Sequence, residues 1–231
     1  MPIILGRPAF LLPLLAVACF AGLRLPGGAL PPASPVANPE PPGRKIVLGT
    51  VKVDATSKVV HATGWVNMTN GVVELLACGP RGKVHESVFV MDAKAEDLQA
   101  ALLLVGIPRG RFPEGGEWKP PVGSNVDILV EWSIGNNRRR VSAQETVWNV
   151  LTQAPLADTG WVFTGSMIED GRFMAASEES FITTYWDYWA ILNLPLAVGG
   201  NDGALHARSE ILPPKGTPVS FEIKARGVAE D

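Results

Sequence analysis

The chain has 231 residues, of which 46% are hydrophobic and 19% charged, with a formal net charge of −3. That apolar fraction can fill a core, which excludes global disorder, and no charge- and proline-free apolar run reaches the length of about 20 that a polytopic membrane protein needs. Twenty basic against 23 acidic residues leave no excess for a phosphate backbone, so nucleic acid is not an expected partner, and two cysteines cannot build a disulfide framework or a four-thiolate zinc site.

Residues 1–24 read as a targeting segment. Arg7 is the only charge before the apolar stretch Ala9 to Leu23, and no acid appears before Glu40. A short positive region followed by a brief apolar core is a secretory layout. Three processing outcomes fit it. A signal peptidase could cut near Ala18, Ala21 or Ala29; Cys19 could be the lipidated first residue of a bacterial lipoprotein; or the segment could stay as an uncleaved anchor, for which it is short. All three place the folded part outside the cytoplasm, with the membrane touched only through the N-terminal segment. Residues 25–43 hold seven of the chain's 20 prolines and read as an extended spacer, because proline lacks the N–H a ladder needs. Loss of residues 1–29 removes Arg7 and Arg24, leaving 18 basic against 23 acidic residues, a net charge of −5. That balance suits a small ligand or an envelope protein as partner.

From residue 44 to 226 the pattern is that of one globular domain, with 227–231 as a tail. Period-two alternation predicts strands at Ile46–Val53, Val59–Val66, Val72–Cys78, Lys83–Met91, Val126–Trp132, Trp161–Thr164, Arg172–Ala176, Ser180–Tyr185 and Pro218–Lys224. Leu98, Ala101, Leu102 and Val105 are spaced for a helix over Ala95–Val105, stopped by Gly106 and Pro108. Ser142-Ala143-Gln144-Glu145 has the form of a capping box opening a short helix to Leu151. No βαβ rhythm is present. The expected fold is α+β, with a mainly antiparallel or mixed β-sheet and two short helices, in one unit or in two halves divided near Pro108–Gly123.

Gly79-Pro80-Arg81-Gly82 is turn chemistry and predicts a hairpin with Cys78 opposite Lys83. In that register Glu74, Cys78, Lys83, His85 and Ser87 share one face, while Glu86 lies on the core face. A thiol, an imidazole and a carboxylate within a few rungs could bind a transition metal through Cys78, His85 and Glu74, or support thiol or acid–base chemistry. The alternative is structural: Cys78 as a small core residue, His85 as a hydrogen-bonded imidazole and Lys83 as a solvated turn flank.

These residues also carry a family resemblance. Val73-Glu74-Leu75-Leu76-Ala77-Cys78, Gly82-Lys83-Val84-His85-Glu86-Ser87 and Ala100-Ala101-Leu102-Leu103-Leu104-Val105-Gly106 look like the YdjY domain family. Weaker agreement continues in Trp161-Val162-Phe163-Thr164-Gly165-Ser166 and Leu212-Pro213-Pro214-Lys215-Gly216-Thr217-Pro218-Val219, so the similarity spans roughly 45–224. The resemblance implies an exported bacterial protein without an established activity, and it marks Glu74, Cys78, Lys83, His85, Glu86 and Ser87 as matching the family motif. A ferredoxin-like label attached to some members does not carry over, because an iron–sulfur cluster needs about four thiolates.

Tyr185-Trp186-Asp187-Tyr188-Trp189 is the other constellation. Exposed, it could stack on sugar rings or a partner; clusters at this spacing more often face a core, so a buried turn through Trp186 and Trp189 is expected. Arg138-Arg139-Arg140 reads as a solvated hairpin edge, Asn201-Asp202-Gly203 as a turn, and Asn67-Met68-Thr69 as a glycosylation sequon relevant only in a eukaryotic secretory route. No nucleophile elbow, P-loop, HExxH or dinucleotide fingerprint occurs. That favours a ligand-, metal- or partner-binding envelope module. The competing functions are an enzyme or redox accessory protein using Cys78, His85 and Glu86, and a purely structural envelope domain.

Overall fold

The computed structural model describes residues 44–114 and 118–227. The export segment with Cys19 and the proline-rich spacer lie outside the described residues, as do 228–231. Eight strands carry the architecture: β1 (Val59–Val66), β2 (Leu75–Cys78), β3 (Ser87–Met91), β4 (Asn125–Ile134), β5 (Trp161–Phe163), β6 (Ser180–Thr183), β7 (Leu192–Asn193) and β8 (Pro218–Ala225). Their pairing runs β1-β8-β4-β5-β7-β6-β2-β3, and β3 pairs back onto β1 through Gly64↔Met91, Trp65↔Val90 and Val66↔Phe89. The sheet is therefore a closed eight-stranded barrel with two helices; this corrects the expected α+β fold, whose mainly antiparallel or mixed sheet and two short helices fit only in part and did not include closure. The helices are α1 (Ala95–Leu104) and α2 (Met174–Glu178).

The long strands follow from alternation. In β1, β4 and β8 every second side chain is buried, so their partner-facing backbones are long enough to hold one register over six or seven pairs. Eight strands leave room only for side chains, and here Phe89 and Phe221 meet edge to face at 5.5 Å. The main core cluster draws on residues either side of Pro108–Gly123, and both sides belong to one compact unit, so the chain does not divide there. A hairpin of Lys45–Leu48 and Val51–Asp54 extends the sheet beside the first residues of β1. Helix α1 buries Leu98, Ala101 and Leu102 as the spacing predicts.

Two further expectations are corrected. Residues 83–86 do not continue a strand: Val84–Glu86 is a 3-10 turn, and β2 and β3 pair parallel, with Leu75↔Ser87, Ala77↔Phe89 and Cys78↔Val90. The predicted hairpin face does not exist. The reason is the role of the glycine–proline loop. Gly79 N–H donates to the Glu179 carbonyl, and Arg81 N–H to the Glu179 carboxylate at 2.6 Å. The loop is thus clamped to a residue 98 positions away instead of turning the chain back. A Cβ on Gly79 would collide with the Glu179 carboxylate and lie 2.8 Å from the Glu179 Cβ, so only glycine permits this approach.

The second correction concerns the helices. The box at Ser142 is present, with Ser142 N–H donating to the Glu145 carboxylate at 3.0 Å, but it opens a single 3-10 turn (Ala143–Thr146) before a short strand at Val147–Asn149. Of Arg172–Ala176, expected as a strand, only Arg172–Phe173 is one, paired with Ile168–Glu169, and Met174 opens α2.

Candidate functional site

Three chain segments meet at one end of the barrel. Thr183 at the end of β6 pairs with Leu75 at the start of β2, and Leu75 pairs with Ser87 at the start of β3. The residues just outside those positions therefore converge: Tyr185 after β6, Glu74 before β2, and the Lys83–Glu86 turn before β3. Main-chain bonds lock the junction. Glu74 N–H donates to Glu86 O, and Thr184 and Tyr185 N–H both donate to Glu74 O at 2.8 and 2.9 Å. Asn67 adds its side-chain amide to Ser87 O at 2.8 Å and to Val84 O, so the sequon's amide is consumed in bracing the turn.

Lys83 bridges two carboxylates, with Nζ 3.5 Å from Glu74 Oε2 and 3.2 Å from Glu86 Oε1. Burial of Glu74 and then the neighbouring Glu86 charge push the Glu74 carboxyl above its ordinary range, with Lys83 only partly opposing them. For Lys83, burial would favour the neutral amine, but the hydrogen bond to Glu86 and the charges of Glu86, Glu74 and Asp187 outweigh it and hold the ammonium more firmly. The site thus keeps one fixed cation between two acids that compete for it.

The other motif residues go elsewhere. Cys78 is fully buried with Leu75 and Val90, and burial pushes its thiol up, away from the thiolate. Ser87 Oγ donates to Lys83 O at 2.7 Å and is buried. The His85 side chain is 77% exposed, with Nε2 3.7 Å from Glu86 Oε2. Glu86, assigned to the core face in the hairpin register, points instead to Lys83. The proposed ligand set Cys78, His85 and Glu74 is not assembled, because the 3-10 turn and the parallel pairing separate thiol from imidazole. Among the described residues, no group of three or more His, Cys, Asp or Glu side chains is placed to hold a metal ion.

The aromatic segment completes the site. Trp186 is buried and donates its indole N–H to Leu194 O at 2.9 Å, while Gly199 packs so closely on the ring that a Cβ would lie 2.5 Å from Nε1. Asp187 turns the loop back: Oδ2 accepts from Ser180 Oγ at 2.7 Å and Oδ1 from Trp189 N–H at 2.8 Å. The buried turn expected here is half right. Trp186 is inside, but Tyr188 and Trp189 are exposed at 38% and 37%.

Trp118, also exposed, comes from the long segment between α1 and β4, and its ring lies 5.4 Å from Trp186 and 5.6 Å from Tyr188. Two adjoining depressions result. A pocket of about 170 Å³ is lined by Glu74, Lys83, Glu178, Tyr185, Trp186 and Asp187, among others. An open groove of about 400 Å³ is lined by Trp118, Met167, Glu169, Trp186, Asp187, Tyr188 and Trp189. The two share Trp186, Asp187 and Trp189. Trp118, Glu169 and Glu178 escaped the sequence reading, since each lies in a segment with no motif of its own.

Fold and site define a small closed β-barrel domain with a charged, aromatic-lined cleft. The chain belongs to the YdjY domain family: the family model matches residues 51–224, from the N-terminal hairpin to β8. No curated protein and no solved structure matches the chain.

Proposed function

We propose that this chain is an exported, extracytoplasmic binding module of the cell envelope, and that its ligand seats in the joined pocket and groove between Glu74–Lys83 and Trp118–Trp189. One observation carries the reading. Tyr188, Trp189 and Trp118 are exposed together around one open concavity, whereas Trp65, also exposed, is not part of its lining, and Trp161, Phe89, Phe163, Phe181 and Phe221 are buried. Exposed indoles gathered in a concavity offer stacking area, and the adjacent Glu74, Lys83 and Asp187 offer orienting polar contacts. In this reading Cys78 and Ser87 hold the fold and take no part in chemistry.

Native mass spectrometry of the purified protein, incubated with small-molecule extracts of the envelope fraction, tests it. A retained ligand should be lost from Trp189→Ala and Trp118→Ala variants whose melting temperatures match the wild type. A ligand kept by both variants would place the site elsewhere, and retention of none would overturn the reading.

A further inference from the structure

We infer that the groove takes an organic cation, an alkylated or quaternary ammonium group held against the Trp118, Tyr188 and Trp189 rings; this rests on the binding site proposed above and names its ligand class. Charge complementarity carries the choice. The open groove has Glu169 and Asp187 in its wall and, among the described residues, no basic side chain in its lining. Adding the adjoining pocket brings Glu74 and Glu178 against the single ammonium of Lys83, which Glu74 and Glu86 already bracket. An anionic ligand would meet four carboxylates.

The aromatic geometry favours the same class. The Trp189 indole N–H donates to Glu169 Oε1 at 3.1 Å, and its backbone N–H to Asp187 Oδ1 at 2.8 Å. A carboxylate at the N–H edge pushes electron density onto the indole face, which strengthens its attraction for a cation above the ring. Trp118 stacks on Phe112 at 8° but stands tilted at 50° to Tyr188 and at 62° to Trp186, the groove rings it touches, so the groove rings do not form a flat shelf. A flat shelf would suit a pyranose face; converging tilted rings beside carboxylates suit a rounded, weakly hydrated cation.

Titration of the full chain by tryptophan fluorescence with choline and with its uncharged isostere 3,3-dimethylbutan-1-ol tests the assignment. A cation–π gain at such sites corresponds to choline binding roughly three- to thirtyfold more tightly than the isostere. Glu169→Gln should shrink that ratio and leave the isostere's affinity unchanged. Trp189→Ala should abolish both responses, and if that variant melts early, Trp118→Leu, which removes the ring at an exposed position but keeps an apolar side chain, takes its place. Equal affinity for the two probes would overturn the inference. A response to the neutral oligosaccharide maltohexaose without one to choline would leave the site standing and remove the cation; silence toward all three would remove the site as well.

Discussion

Replacing Glu179 by alanine tests why the Gly79–Gly82 loop is a clamp. The Glu179 side chain is 11% exposed and receives three donors from Arg81: the backbone N–H at 2.6 Å on Oε2, and Nε (2.8 Å) and Nη2 of the guanidinium on Oε1. The Arg81 side chain is 86% exposed, so its ion pair contributes about 1 kcal/mol or less. The backbone bond to a buried charged acceptor is worth about 1.5–3 kcal/mol, and truncation leaves that N–H unpaired. Glu179→Ala should therefore lower the unfolding free energy by about 2–3 kcal/mol, a drop in melting temperature of roughly 4–12 °C for a domain of this size. Arg81→Ala keeps the N–H and should stay below about 1 kcal/mol. Glu179 sits at φ +50°, so Glu179→Gly should recover up to about 1 kcal/mol of the alanine loss. Urea denaturation of the three variants decides it. Equal losses for Arg81→Ala and Glu179→Ala would refute the assignment, because the energy would then lie in the exposed pair.

Glu74 gives a pH signature. Its folded-state pKa is raised above the ordinary 4.5, so the stability it contributes is complete below about that pH and is lost as pH rises through the folded value. Relative to wild type, Glu74→Gln should gain stability between pH 4.5 and 7, and parallel profiles would contradict the raised value. In a Cys19→Ser background, Cys78 should resist Ellman's reagent in the native state and react fully in urea; rapid native labelling would show the thiol to be accessible. Mass spectrometry of the exported protein should find an N-terminus between Cys19 and Leu30, and an intact chain beginning at Met1 in the membrane fraction would contradict cleavage.

What the sequence made legible was local. Val59–Val66 and Pro218–Ala225 alternate cleanly because each has one buried face, and Ala95–Leu104 shows its helix through Leu98, Ala101 and Leu102. Leu75–Cys78 is buried at every position, so its pattern carries no facing information, and its parallel pairing to β3 depends on Glu179 far along the chain. Barrel closure is likewise a long-range event, made by three pairs between β1 and β3. Glu74, Lys83 and Glu86 do meet, through the 3-10 turn and not through the hairpin register that suggested a shared face for Glu74 and Lys83. Cys78 and His85, which the same register joined, part for that reason. The groove needed Trp118 and Glu169, and only the folded chain brings those segments to Trp189.

The most direct measurement is the spectrum of the seven tryptophan indole N–H signals in the labelled full chain, recorded with and without the ligand recovered by native mass spectrometry. The account predicts shifts at Trp189 and Trp118, with Trp161, whose N–H is bonded to Thr183 O inside the barrel, unmoved. Shifts confined to Trp65, Trp132 or Trp148, or none at all, would contradict a ligand site at this cleft.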